Sequence, residues 1–246
     1  MKSLPPAPNL PMSPAPALFQ ELARDDIFRL ETSRLWLRWP KLADVAALSR
    51  HAGDYGVAEM TDTIPHPYPH GAADKFVFSV RKGNALGQMM TLAIITKDRP
   101  QELIGMIGAR PGTDGEPVFG YWLGVEHWGK GYATEAAQAM IDAVFTLTSA
   151  AMLEAHARII NPASRRVLEK CGFHHTGSHL KNMPARGGLL ACDQFRLERK
   201  TWAGLRNWAA LKSWAIPLLQ SERADMPQTV HAKAATMDKS EASLPA

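Results

Sequence analysis

The sequence predicts an α+β protein with one mixed central sheet flanked by helices, in a single domain. Three observations predict it. Segments with period-two apolar alternation recur along the chain, segments with helical spacing stand between them, and glycine, proline and aspartate clusters separate the two kinds. Their order is strand, two helices, three strands, helix, strand, helix and two strands, which suits elements layered around one sheet.

The first ordered element follows an arm, residues 1–29, whose first twenty positions hold six of the chain's 18 prolines. RLWLRWP places Leu35, Leu37 and Trp39 on one face of a strand, and Pro40 stops it. LADVAALSRHA has helical spacing at Leu42, Val45, Ala46 and Leu48. TDTIPHPYPH, residues 61–70, is a proline-broken loop, and Ala72–Val80 reads as a second helix. Strands are predicted at Met89–Thr96, Leu103–Ala109 and Val118–Val125, punctuated by Asp98-Arg99-Pro100 and by Pro111-Gly112-Thr113-Asp114-Gly115. Tyr132–Leu147 carries an apolar helical stripe through Ala133, Ala136, Ala137, Met140, Val144 and Phe145. A strand at Met152–Ile159, a helix at Pro162–Cys171 and strands at His174–Leu180 and Cys192–Glu198 complete a domain spanning residues 30–202. Trp202, Leu205, Trp208, Leu211 and Trp214 share one helical face. A terminal helix is therefore expected over 203–220, ended by Pro217, before a polar tail at 221–246.

The 246 residues are 46% apolar and 21% charged, enough for one packed core. No apolar run approaches the roughly 20 residues that span a bilayer. The proline-interrupted start lacks the apolar stretch of a signal peptide. Cys171 and Cys192 make neither a disulfide framework nor a metal motif. A cytoplasmic protein without membrane partner is therefore expected. The net charge of +4 is scattered rather than gathered on one face, which argues against dedicated nucleic-acid binding. His66 and His70 flank the proline loop, and His174, His175 and His179 share a strand. None has metal-ligand spacing, so no metal is expected.

The most informative stretch is VFGYWLGVEHWGKGYATEAAQAMIDAVF. A strand ends near Val125, a glycine-punctuated turn follows, and a long amphipathic helix starts at once. Gly129 and Gly131 let backbone approach a ligand closely. The helix start offers unpaired N–H groups and a positive dipole end, which suit a pyrophosphate, and Lys130 adds a charge. Neither GxGxxG nor GxxxxGK[ST] is present. By residue type alone, the turn equally well just tightens a strand–helix connection.

Trp128-Gly129-Lys130-Gly131-Tyr132-Ala133 resembles the Gln/Arg-x-x-Gly-x-Gly/Ala signature of the GNAT superfamily of N-acetyltransferases, departing at its first position. Tryptophan there is similar to the branch holding the ribosomal-protein N-terminal acetyltransferases. The resemblance spans about Leu30 to Trp202 and includes LETSRLWLRWPKLADVAAL before the turn and RIINPASRRVLEKCGF after it. It implies a GNAT-type fold and acetyl-CoA as co-substrate, with Leu123, Gly124 and Val125 facing the pantetheine arm. It also implies Trp128, Gly129, Lys130, Gly131, Tyr132, Ala133 and Thr134 around the phosphates, with Asn161 and Ser164 nearby. Direct attack by an amine, without a covalent enzyme intermediate, is implied too.

Such a transfer needs an unprotonated amine, a stabilised oxyanion and a proton for the leaving thiolate. Asn161 and Pro162 suit a helix cap and first position, which puts Ser164 in the first turn. Many relatives carry a tyrosine acid just before Glu-Lys-x-Gly-Phe. Leu168 stands at that place, leaving Ser164 as the candidate acid, or as a residue that merely bonds the helix end. Glu116 and Asp193 are the candidate bases, each readable also as a solvated charge. The expected partners are an amine acceptor (a protein N-terminus or a small molecule) and, as an option, a second copy of the chain in a homodimer. The loops at Thr61–His70 and Lys181–Leu190 are expected to select the acceptor. The competing reading is a catalytically silent acyl-CoA-binding or regulatory module on the same fold.

Overall fold

A computed structural model describes residues 18–19, 28–112, 115–205 and 213–215, all within the unit Met1–Ala215. The strands are β1 (Arg29–Glu31), β2 (Leu35–Arg38), β3 (Met90–Thr96), β4 (Leu103–Pro111), β5 (Pro117–Leu123), β6 (Met152–Arg158), β7 (His174–Met183), β8 (Gly188–Glu198) and β9 (Ser213–Ala215). The helices are α1 (Val45–Ala52), α2 (Tyr55–Glu59), α3 (Ala72–Ala85), α4 (Tyr132–Leu147), α5 (Pro162–Lys170) and α6 (Arg199–Gly204). Among the described residues the strands form one sheet in the order β7-β8-β6-β5-β4-β3-β2-β1-β9. Neighbours are antiparallel throughout except β5 and β6, which run parallel.

Helices on both faces explain the sequence of β3, MTLAIIT, which is buried at nearly every position. Ala93 and Ile95 join Leu48, Ala52, Ala73 and Val77 of α1 and α3 in one apolar cluster. By strand alternation Leu92 and Ile94 point to the opposite face, the side of α4, which packs on β2, β4 and β5. The alanines Ala136, Ala137, Ala139 and Ala143 are fully buried and let α4 approach the sheet closely. At its C-terminal end the Arg199 guanidinium donates to the carbonyls of Phe145, Thr148 and Ala150 at 2.6–2.8 Å, filling acceptors the helix cannot satisfy itself.

The arm over residues 1–29 docks on the fold: Phe19 and Phe28 are fully buried, and the Phe19 N–H donates to the Gly87 carbonyl at 2.8 Å. Two expectations are corrected. Leu42 is exposed in a short 3-10 turn, so α1 buries Leu48, His51 and Ala52 rather than a stripe starting at Leu42. The terminal helix stops at Gly204. Ser213–Ala215 instead pair antiparallel with β1, Trp214 opposite Leu30, because the edge of β1 supplies backbone partners to an extended segment. Trp208, Leu211, Pro217 and the tail lie outside the described residues.

Candidate active site

The parallel pairing of β5 and β6 is short. It joins Val118 to Glu154 and Phe119 to Ala155 and then stops, while Gly120–Leu123 stay paired with β4. The sheet therefore splits beyond Phe119. A cleft of about 730 Å³ passes through the split, reaching from Gly129, Gly131 and Thr134 on one side to Asp62, Arg158 and Lys181 on the other.

At the first end, Gly129 and Gly131 have φ of +72° and +80°, the left-handed region where a side chain is strained. Gly131 caps α4 with no side chain bonded to the first-turn amides. The N–H groups of Tyr132, Ala133 and Thr134 are thus presented at the positive end of a 16-residue helix, while Lys130, expected to add its charge there, is not among the residues lining the cleft. The amides fit a pyrophosphate. Trp128 does something the signature position did not foretell: its indole N–H donates to the Leu123 carbonyl at 2.8 Å, pinning the turn to the end of β5. That carbonyl is therefore already engaged within the protein. Gly124 and Val125, expected along the pantetheine path, begin a short 3-10 turn instead of extending the strand, and the Gly124 N–H donates to Ile104.

The turn is also held from the far end of the sequence. Glu135, one turn into α4, accepts from Thr32 Oγ1 at 2.6 Å, Ser33 Oγ at 3.0 Å, the Arg34 N–H at 2.8 Å and Arg34 Nε at 2.7 Å. Arg34 Nη1 donates to the Lys130 carbonyl at 2.9 Å, and its guanidinium lies 4.7 Å over the Tyr132 ring. Burial alone would raise the Glu135 pKa, yet the bonds from Thr32, Arg34 and Ser33 outweigh it and hold the carboxyl below its usual range. No local spacing signals a contact between positions 103 residues apart.

At the split, Ser164 sits in the first turn of α5 as expected. Asn161 Oδ1 accepts from the Ser164 N–H at 3.0 Å, so the cap role belongs to Asn161. The Ser164 hydroxyl is thereby available to another group, and it lies 3.0 Å from the Tyr121 hydroxyl. Tyr121 lies on β5, and its side chain was not singled out from the sequence. Burial raises its pKa, opposed by the bond to Ser164, so the phenol stays protonated well past neutrality. Leu168 is buried beneath α5.

Neither candidate base reaches the cleft. Glu116 lies before β5 and accepts from the Met152 N–H at 3.2 Å, at the end of the sheet where β5 and β6 still pair. Asp193 on β8 accepts from Ser178 Oγ at 2.6 Å and stands 3.3 Å from His175 Nε2 and 3.6 Å from Arg165 Nη1. Both carboxylates are spent on structural contacts, a fate that depends on strand register and so was hidden from the sequence. Two residues not singled out from the sequence do line the cleft: His156 and Arg158, on one face of β6. Their signal would have been polar residues alternating with Ala155 and Ala157 on an otherwise buried strand.

Among the described residues, His51, Glu126 and His127 bring ligand atoms within 4.8 Å of one another. Arg50 Nη2 stands 3.2 Å from His51 Nε2 and 3.8 Å from Glu126, so a cation already lies beside two members of this trio. No helix of the described residues is long and apolar enough to cross a membrane.

Comparison with known proteins agrees with this geometry. Over 177 residues, 71% of this chain and 98% of the relative, the sequence is 31% identical to an uncharacterised N-acetyltransferase, p20, of Bacillus licheniformis. Among solved structures, RimJ of Mycobacterium smegmatis in complex with CoA-disulfide is 22% identical with a TM-score of 0.61, covering 70% of this chain and 88% of that one. The spermidine N-acetyltransferase of Vibrio cholerae, in complex with CoA and spermine, is 18% identical with a TM-score of 0.59, covering 70% of this chain and 99% of that one. The acetyltransferase (GNAT) domain family matches residues 34–174, from the arginine that braces the glycine turn to the start of β7. With that match the chain takes its place in the GNAT acetyltransferase family, as an acetyl-CoA-dependent acyltransferase.

Proposed function

We propose that this acyltransferase moves acetyl from acetyl-CoA directly to a primary amine of the α-amine type. The amine nitrogen attacks the thioester carbon, the carbon–sulfur bond breaks, and the leaving thiolate takes a proton from the Tyr121–Ser164 hydroxyl pair. The acylated nitrogen releases a proton to water, and water returns one to the pair. The observation that carries this reading is that pair, 3.0 Å apart at the split in the sheet. It supplies the donor that Leu168 cannot.

Direct attack is further supported by the state of the thiols. Both cysteines are buried, and burial pushes Cys171 up to about 12 and raises Cys192 as well, so neither offers a thiolate to carry acetyl. The cleft's only carboxylate among the described residues is Asp62, which is ion-paired with Lys181 at 3.1 Å. A site so poor in basic carboxylates favours amines that are already neutral. An α-amine near 7.7–8.0 is about 2.5 units easier to deprotonate than lysine near 10.4, roughly 3.5 kcal/mol.

The test is thiol release from acetyl-CoA with peptide α-amines, lysine side-chain amines and small amines in turn. Sequential kinetics and faster release with α-amines are expected. Parallel-line kinetics with an acetylated protein detected by mass would overturn direct attack. Absence of release with every amine would favour an acyl-CoA-binding role.

A further inference from the structure

Past the split, the cleft runs along the face of β6 that carries His156 and Arg158, roofed by the segment after α2 and by β7. The charges lining this end are one-sided. Arg110, Arg158 and Lys181 are there, and Asp62 is already engaged by Lys181.

Arg158 is the group that calls for an anion. Its side chain is only 14% exposed, and Nη1 donates to the Glu59 carbonyl at 2.7 Å. The Glu59 carboxylate is 3.9 Å away, and the buried Nε–H has no hydrogen-bond partner among the described residues. A mostly buried cation held by one backbone carbonyl and a carboxylate 3.9 Å away is poorly compensated, and an oxyanion that a ligand brings to the part of Arg158 lining the cleft would offset that cost. His156 adds no charge of its own. Burial, then Lys181, His179 and Arg110, push its pKa down to about 4 against the opposing pull of Asp62, and its buried Nδ1 is also without a partner. A polycationic acceptor would place further positive charge against Arg110, Arg158 and Lys181, where the two nearby carboxylates, Asp62 and Glu59, already face Lys181 and Arg158.

We infer that the acceptor amine carries an oxyanion, a carboxylate or a phosphate, and that Arg158 is the residue that holds it. This deepens the direct-transfer reading and rests on it, but binding can be measured apart from turnover.

Full-length protein saturated with CoA is titrated calorimetrically with matched pairs: glutamate against glutamine, O-phosphoserine against serine, and the peptide amide Ser-Asp-Ala against Ser-Asn-Ala. Spermidine is the polycationic control. In at least one pair the anionic member should bind 10-fold tighter or more, and which pair does so separates carboxylate from phosphate. Arg158→Gln should shrink that advantage below threefold, and Arg158→Lys should keep part of it. CoA affinity reports that each variant is folded. Equal binding within every pair, or spermidine binding more tightly than every anionic probe, would overturn the inference on the wild-type protein alone. An anionic preference that persists in Arg158→Gln would overturn the role of Arg158. Selective binding without acetyl transfer would sink the transfer reading, and with it the ligand's role as acceptor, while the anion site at Arg158 would stand.

Discussion

Removing the Ser164 hydroxyl tests the chemistry most directly, because the structure separates its catalytic and structural consequences. In Ser164→Ala the cap survives, since Asn161 Oδ1 accepts from the backbone N–H and not from the side chain. The variant loses one neutral hydroxyl–hydroxyl bond, which costs about 1 kcal/mol of stability. Tyr121 then retains only the Ser164 carbonyl, at 3.4 Å. Loss of a proton donor lowers turnover about 10²-fold or more, equivalent to roughly 2.7 kcal/mol of barrier. Acetyl-CoA affinity should hardly move, because the residues proposed to hold the phosphates lie at the start of α4, away from Ser164 in α5. Tyr121→Phe removes the other hydroxyl. If the two act as one donor, the double variant loses no more rate than the worse single variant, whereas independent roles would multiply. Because burial holds the Tyr121 phenol above its usual pKa, its deprotonation should put no alkaline limb on kcat through pH 9. Steady-state kinetics and melting curves on three variants decide the matter. Full turnover in Ser164→Ala with a lowered melting point would refute the proton-donor role.

Four further outcomes are expected. Gly131→Val should weaken acetyl-CoA binding at least 10-fold by calorimetry, since φ is +80° there and even a Cβ would come 3.3 Å from Arg34 Nη2. Glu135→Ala should destabilise the fold by about 2 kcal/mol in denaturant titration and weaken acetyl-CoA binding, because it strips a carboxylate accepting from three residues. Phe19→Ala should cost about 3 kcal/mol in the same titration, so a truncation starting at Leu30 should melt well below the full chain. Burial lowers the pKa of His51, His127 and His156, so on acidification the unfolded chain takes up their protons before the folded one does. Their contribution is full above the unfolded value of 6.5 and is lost for His156 as pH falls from there to about 4. His156→Gln should flatten melting point against pH across that window.

Much of this molecule could be read from residue patterns. α4 spans Tyr132–Leu147, as its apolar stripe and glycine start required, and β3, β4 and β6 fall within two residues of their predicted ends. The glycine turn before α4 was legible for the same reason, since glycines ahead of a long helix are a local signal. The remainder depends on pairings distant in sequence. Tyr121 meets Ser164 across 43 residues, and Glu135 meets Thr32 across 103. Glu116 and Asp193 looked available because nothing local shows that Met152, Ser178 and His175 consume them. Length was the other obstacle. β1 and α2, of 3 and 5 residues, are too short for either period to declare itself.

The abrupt end of pairing beyond Phe119 leaves Gly120–Leu123 as an interior margin of the sheet, flanked by β6 rather than by open solvent. A margin at the rim of a sheet invites another polypeptide strand and with it aggregation. Here the opening is closed at one end by the Val118 and Phe119 pairs and seamed at the other by the Trp128 indole on Leu123. Its backbone groups thus face an enclosed cleft rather than the outer rim, where another polypeptide could pair with them. Amide hydrogen exchange at Gly120–Tyr121 should slow when acetyl-CoA is added.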